Sequence, residues 1–499
     1  MNKKNPIFYN AILLTGVNLL LRFVSTGFQV YLSGRIGAEG IGLLQLVLSV
    51  GGLAMTLGMA GIRTSTMYLT AEEIGKGSPQ NVKRVLSGCM RYSLVCSMTV
   101  AITLFIFSPI IAERWIGESS IADAVRLFAY FLPVNCLCGV MVGYFTAANR
   151  IRTLAVVEVL EQLLSMTTTV VLLYCWARHN SLKACASVVL GSGLGACLTL
   201  ISLLFLQNQE GIKSDKRIPV GKRLLKTAVP LAIADDLKSG ISTTENLMVP
   251  KRLALYPKIG DPLAAFGMVC GMVFPVLMFP AAILFGLAEL LIPELARCSA
   301  AGSHQRIRYL AMRSLRLAMI YGTVFGGLLY LLGEDLCIWL YYNQNAGIYI
   351  KWFALLAPML YCDAVIDAMI KGLGQQVACV RYNILTSVMD VAMLFLLLPI
   401  YGIEGYFISF LISHAVNFLL SIRRLLKLTG KIMTLVTPLM TAFAAASAIL
   451  LAGTLVSPAW RSLAYILILG CLLYLFRVIS KEDLLWIKGM ICKNKLMYD

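Results

Sequence analysis

Seven ionisable side chains stand in stretches of this sequence that are otherwise apolar: Arg22, Asp235, Asp236, Lys238, Asp363, Asp367 and Asp390. Arg22, in Leu21-Arg22-Phe23, has no acid within a helical turn. Its planar guanidinium stays charged at any accessible pH and suits phosphate oxygens two at a time; the alternative is a structural ion pair with an acid on another helix. Asp235 and Lys238 are three apart, on one helix face, and can neutralise each other. That leaves Asp236 to bind a cation or a proton. Glu158 and Glu161, followed by Gln162, place two carboxylates where they can share a proton or hold sodium. Glu161 is the better candidate of the two, because Glu158 can snorkel toward Arg150 and Arg152. Arg63, close to the end of its apolar run, can snorkel as well. Glu245 and Asn246, just before Pro250-Lys251-Arg252, can meet a polar headgroup or cap a helix.

The surroundings of these residues define the class of protein. Hydrophobic residues make up 59% of 499 positions and charged ones 14%, with a mean hydropathy of +0.80. A soluble domain carries roughly 25% charged and about 45–50% apolar residues, so lipid must solvate much of this surface. Runs such as Leu194–Leu206 and Val391–Ile400 lack the alternation of barrel strands. The expected fold is all-α: a polytopic membrane protein of about fourteen spans of roughly 20 residues each. An ionisable group deep in such a span costs several kcal/mol unless it is paired or meets water, so each one is a candidate site.

The formal charge of +18 is distributed as a topology signal. With the N-terminus inside, most of the 43 Lys and Arg fall in or beside cytoplasmic segments, so no nucleic-acid partner is expected and both termini are placed in the cytoplasm. The fourteen Cys include no CxxC, and three His are too few for a zinc pattern. No cofactor, metal centre or disulfide framework is expected.

The largest polar interruption is 207–223, after six spans. It divides an N-terminal six-helix lobe (1–206) from a second lobe (224–421), and 422–499 adds two more helices and a cytoplasmic tail. A shift of 225 residues aligns Gly42 with Gly267, Gly77 with Gly302, Gln80 with Gln305 and Pro133 with Pro358. Six spans per half is an even number, so the halves enter the membrane in the same direction. Repeats of this parallel kind place a substrate between them, and a hydrated cavity there would accommodate the deep charges.

Several stretches resemble the stage V sporulation protein B group of polysaccharide-biosynthesis proteins. These are Gly37-Ala-Glu-Gly-Ile-Gly-Leu-Leu-Gln45, Ala60-Gly-Ile62, Ala71-Glu-Glu-Ile-Gly-Lys-Gly77, Glu161-Gln162, Glu245-Asn-Leu-Met-Val-Pro-Lys-Arg-Leu253, Gly271–Pro275 and Leu291-Ile-Pro-Glu-Leu295. The group lies in the multidrug/oligosaccharidyl-lipid/polysaccharide (MOP) exporter superfamily, beside the lipid II flippases and the multidrug and toxin extruders. The resemblance implies a V-shaped pair of six-helix lobes that moves polyprenyl-pyrophosphate-linked sugars by alternating access. It also makes Arg22, fifteen residues before Gly37, the counterpart of a flippase cavity arginine. Further cavity arginines have no match, since Phe28 and Leu247 stand in their places; Arg63 is the compensating candidate.

The expected function is thus a flippase for a lipid-linked saccharide, an envelope precursor such as that of peptidoglycan, acting in the cell membrane as a monomer among membrane lipids. Arg22, Arg63, Lys238, Glu245 and Asn246 are assigned to substrate, and Glu161, Asp235, Asp236 and Asp363 to coupling with H+ or Na+. The rival is a cation-coupled multidrug exporter, which the deep aspartates keep open. A membrane enzyme would need a partner acid for the lone His414, and none is evident in the sequence.

Overall fold

The computed structural model describes residues 6–75, 79–177, 180–208, 220–341, 344–430 and 436–478, and no strand occurs among them. Most of the 207–223 linker, Gly77 of the repeat and the tail beyond 478 lie outside the described residues. By contact the chain forms two compact units, Met1–Pro275 with Ser387–Ser409, and Val276–Thr386 with Phe410–Asp499.

The first unit opens with α1 (Pro6–Met59), 54 residues long and interrupted at Gly37, where φ is 73° and ψ 176°. A helix of that length reaches about 80 Å, more than twice the hydrocarbon thickness, so α1 must make two passes. Gly37 supplies the break, because a residue with a Cβ is strained at that φ. The expected first two spans, 8–33 and 41–69, therefore meet at a single residue rather than a loop. Ala60 (φ 44°) and Gly61 (φ 69°) then form a second break before α2 (Ile62–Gly75).

Next come α3 (Pro79–Ile110), α4 (Ala122–Ala147), α5 (Ile151–Cys175), α6 (Ser181–Asn208), α7 (Val220–Leu253), α8 (Pro262–Met268) and α9 (Phe274–Met278). Burial of Ile62, Leu69, Leu86, Cys89, Met141, Phe145, Leu203 and Leu224 welds α2, α3, α4, α6 and α7 together. Beyond Gly37, α1 crosses α8 with backbone against backbone. A Cβ on Gly267 would press into the Ala38 carbonyl oxygen and lie 2.5 Å from Gly42 N; one on Gly42 would lie 3.2 Å from Gly267 N. The two glycines paired by the 225-residue shift thus touch each other.

In the second unit, α10 (Ala281–Ala300) follows a break at Phe279-Pro280, and α11 (His304–Tyr341) follows in turn. Of the three prolines of the expected eighth span, only Pro280 sits at a break; Pro275 and Pro293 lie inside α9 and α10. The expected tenth span is α12 (Gln344–Ala354) and α13 (Ala357–Gly372), bent by 54° ahead of Pro358, where proline disfavours helical backbone in the residue before it. The remaining helices are α14 (Gln376–Tyr401) and α15 (Ile403–Thr429), each shared between the units, then α16 (Val436–Ala452) and α17 (Pro458–Leu475).

Arg461 joins the end of α16 to α11. It donates to Val456 O at 2.7 Å, Leu455 O at 2.8 Å and Leu331 O at 3.4 Å, and pairs with Asp335 at 3.2 Å. Hydrogen bonds from a charged donor are worth about 1.5–3 kcal/mol each when the acceptors are otherwise bare. Arg461→Ala is therefore expected to destabilise this corner by about 2 kcal/mol, read as a lower melting temperature of the detergent-purified protein.

Among the described residues nine helices are long and apolar enough to cross a membrane, or up to eleven if each bent pair is one span. The first of these stretches, Leu19–Ile74, holds 56 residues and so more than one pass. α16 is short, and α7 carries Asp235, Asp236 and Lys238 within a single apolar stretch. The chain is a multi-pass membrane protein.

Candidate functional site

Charge is the organising feature of the first unit. Arg22 on the apolar α1, Arg63 on α2, and Asp235 and Lys238 on α7, a helix of mixed polar and apolar residues, are all exposed. Among the described residues Asp235 and Lys238 make no ion pair with each other, so the neutralised pair that their spacing allows does not form. Asp236 is half-buried, and its Oδ1 is buried without a hydrogen bond; it lies within electrostatic reach of Tyr92 on α3. Tyr92 itself donates to Ala60 O at 3.4 Å.

A polar path runs across α1, α5 and α2. Gln162 Nε2 donates to Ser25 Oγ at 3.2 Å, and Ser25 is one residue short of a turn from Arg22. One turn before Gln162, Glu158 interacts electrostatically with Arg63. Arg63 itself packs by its backbone on Gly143 of α4, which fixes where its guanidinium starts. Glu161 points elsewhere. Its Oε2 accepts from Thr199 Oγ1 of α6 at 2.6 Å, so it ties α5 to α6 while Glu158 faces the arginine.

Farther along α7, Glu245 and Asn246 part company. Asn246 donates to Ser49 Oγ at 2.9 Å, and Thr243 donates to Ser49 O at 3.1 Å, stitching α7 to α1. Glu245 interacts electrostatically with Asp390 and Cys270. Asp390 is buried and accepts from Ser409 Oγ at 2.6 Å. This is a second acidic locus, built from α7, α14 and α15. Ser409 gave no sequence signal, because a serine in an apolar run reads as a neutral small residue; only its pairing with Asp390 gives it a part.

At the end of α2, Glu72 and Glu73 grip Arg223 at the start of α7, at 2.7 and 2.9 Å. Asn81 donates to Glu73 at 3.1 Å. The two carboxylates hold the Arg223 guanidinium charged even more firmly than usual. Near Gly37 a hollow of about 830 Å³ is lined by Arg35, Tyr174, Asn180 and Ser181.

In the second unit Asp363 accepts from Asn417 Nδ2 at 2.8 Å, and Asp367 from Asn383 Nδ2 at 3.4 Å. His414 packs against Phe410 with ring centroids 4.1 Å apart and the rings tilted by 49°. A large groove of about 530 Å³ is lined by Leu315, Met319, Phe418, Ile422, Pro438 and Ala445. Among the described residues no group of three or more His, Cys, Asp and Glu is placed to hold a metal.

The first unit thus holds exposed arginines and a buried Asp390, and the second an apolar groove. Residues 7–234 match the model of the polysaccharide biosynthesis protein family. The chain is 22% identical over 415 residues to stage V sporulation protein B of Bacillus subtilis (strain 168), covering 81% of this chain and 80% of that one. Its fold is that of lipid II flippase MurJ in an inward closed conformation, with a TM-score of 0.67, 13% identity, and coverage of 95% of this chain and 100% of that one. It is also similar to an inward-facing multidrug resistance MATE family transporter of the MOP superfamily, with a TM-score of 0.64, 15% identity, and coverage of 84% of this chain and 98% of that one.

Proposed function

We propose, from the premise that this chain has the fold of MOP-superfamily transporters and that its residues 7–234 match a polysaccharide biosynthesis family, that it flips a polyprenyl-pyrophosphate-linked saccharide across the cell membrane by alternating access. One observation carries the reading: Arg22 is exposed on the apolar helix α1, and Arg63 and Lys238 are exposed on α2 and α7. A cation facing hydrocarbon is several kcal/mol uphill, so these groups border water or an anionic ligand. A pyrophosphate, which cannot cross hydrocarbon without losing its hydration, needs such a path.

In this mechanism Arg22 grips the pyrophosphate by paired hydrogen bonds, with Arg63 and Lys238 supplying further positive charge. Glu158 holds Arg63 in place, and Asn246 keeps α7 against α1. The polyprenyl tail stays in lipid, and the apolar groove of the second unit has the lining and volume to take part of it. Asp235, Asp236, Glu161 and Asp363 remain candidates for coupling to H+ or Na+, with the Glu245–Asp390 locus beside them. Two six-helix halves, 1–206 and 224–421, rock about the 207–223 segment; the 225-residue repeat of the sequence suggests that division. Both termini lie in the cytoplasm, and the chain works as a monomer.

The test is a panel of fluorescent polyprenyl-pyrophosphate sugars in proteoliposomes. Protein-dependent access of the label to a membrane-impermeant quencher is expected for at least one member and for no free sugar. The second reading, a cation-coupled drug exporter, is favoured by the acids withdrawn from the surface, half-buried at Glu245 and Asp363 and buried at Asp390. It predicts drug-stimulated proton or sodium flux and no dependence on polyprenyl lipid, and that outcome would displace the flippase.

A further inference from the structure

The hollow beside Gly37 has no part in the transport mechanism above, and its polar groups suit an anion. It lies where α1 breaks, α5 ends and α6 begins. Arg35 lines it and, among the described residues, makes no hydrogen bond or ion pair; its side chain is exposed. Tyr174, 68% exposed at the end of α5, is likewise without a hydrogen bond among those residues. At the start of α6, Asn180 Oδ1 accepts from Leu182 N at 3.0 Å and Lys183 N at 3.1 Å. The helix end is thereby capped, which leaves the Asn180 amide hydrogens and the Ser181 hydroxyl as donors. Just outside, Lys183 Nζ stands 5.9 Å from the ring centroid of the exposed Trp176. Glu39, the acid nearest Arg35 along the chain, does not line the hollow, and neither does any other acid among the described residues.

One guanidinium, one amide and two hydroxyls can all donate, and no carboxylate competes for them. A guanidinium takes two phosphate oxygens at once through its planar fork. The volume, about 830 Å³, is far more than a lone phosphate ion fills. Depth decides what else comes with the phosphate. α5 and α6 are both long and apolar enough to span a membrane, and the hollow sits at the ends where they meet, the level of lipid headgroups. Tyrosine and tryptophan with one apolar and one wet side belong at that level, and basic pockets between spans attract anionic headgroups. The exposed Val171 and Trp176 continue the surface toward the hydrocarbon. We propose that the hollow between α1, α5 and α6 binds the phosphate headgroup of a membrane lipid, with Arg35 gripping the phosphate and Tyr174, Asn180 and Ser181 donating around it. Arg22 lies thirteen residues earlier on α1, about 20 Å away along the helix, so the two arginines serve different sites.

Lipid binding is measured without transport, so this site and the flippase reading stand or fall separately. The experiment titrates the detergent-purified full chain with phosphatidylglycerol, polyprenyl phosphate, diacylglycerol or inorganic phosphate. The readouts are melting temperature and lipid retained in native mass spectrometry. A saturable stabilisation by a phosphate-bearing lipid is expected, because a ligand that binds only the folded state raises its stability with concentration. Arg35→Ala should weaken the apparent affinity at least about tenfold, the loss of charge-assisted hydrogen bonds. Tyr174→Ala should weaken it about threefold, and Arg308→Ala, an exposed cation on another helix, should leave it intact. Should Arg35→Ala not fold, Ser181→Asp, which sets a negative charge in the hollow, decides by abolishing the response. Phosphatidylglycerol and polyprenyl phosphate are two sources of one headgroup chemistry, and the one whose effect Arg35→Ala removes is the ligand. Equal stabilisation by diacylglycerol or by inorganic phosphate, or unchanged lipid affinity in Arg35→Ala, overturns the site.

Discussion

Arg22→Ala is expected to lower translocation of a labelled polyprenyl-pyrophosphate sugar at least about 100-fold in proteoliposomes, while the protein stays folded. The magnitude follows from the loss of two charge-assisted hydrogen bonds to phosphate, each worth about 1.5–3 kcal/mol. Stability should change little, because Arg22 is exposed and burial is what makes a side chain's removal expensive. Arg22→Lys is a sharper probe. It retains the charge but not the planar fork, so it should restore only part of the rate. Unchanged transport in Arg22→Ala would remove this residue from the path. The companion change Glu158→Gln frees Arg63 from its acid, and comparing the two variants separates binding charge from positioning.

The second large effect is structural. Gly267→Ala is expected to destabilise the protein by about 3 kcal/mol or more, at the upper end of overpacking costs, and Gly267→Leu to prevent accumulation of folded protein. The added Cβ meets backbone, the Ala38 carbonyl oxygen and Gly42 N, and backbone cannot step aside as a flexible side chain can. Gly16→Ala, where nothing lies within 4 Å of the new carbon, is the matched control. Equal melting temperatures for the two variants would show that α1 and α8 do not meet as described.

Those helices were legible in the sequence because hydrophobic run length sets them. Leu194–Leu206 falls inside α6 and Val391–Ile400 inside α14. The joints were harder to read. The interval between the expected first two spans, 8–33 and 41–69, reads as a loop, since Gly34, Gly37 and Gly40 follow one another, yet helix continues on both sides of a break at the single residue Gly37. A glycine advertises permission to turn, and only packing decides which glycine turns. The candidate site was legible as a set of charges but not as a set of partners. Asp363 stands out in an apolar helix; Asn417, 54 residues away, does not. Side chains such as Thr199 and Ser409 acquire meaning only when another helix brings them an acid. Likewise the sequence ranks Glu161 above Glu158 but names no partner for either; on α5, Glu158 interacts electrostatically with Arg63 and Glu161 accepts from Thr199.

The two irregular points in the first 75 residues carry a mechanical consequence. Residues 6–36, 38–59 and 62–75 act as three stiff bars joined by two pins, at Gly37 and at Ala60-Gly61. The pins differ. A Cβ on Gly61 would sit 2.5 Å from Ala228 O of α7, so the second pin is clamped; Gly37 has nothing within 4 Å, so the first is open. Whatever swing this linkage permits therefore belongs to the leading bar, and Arg22 is the charge it would sweep through the bilayer.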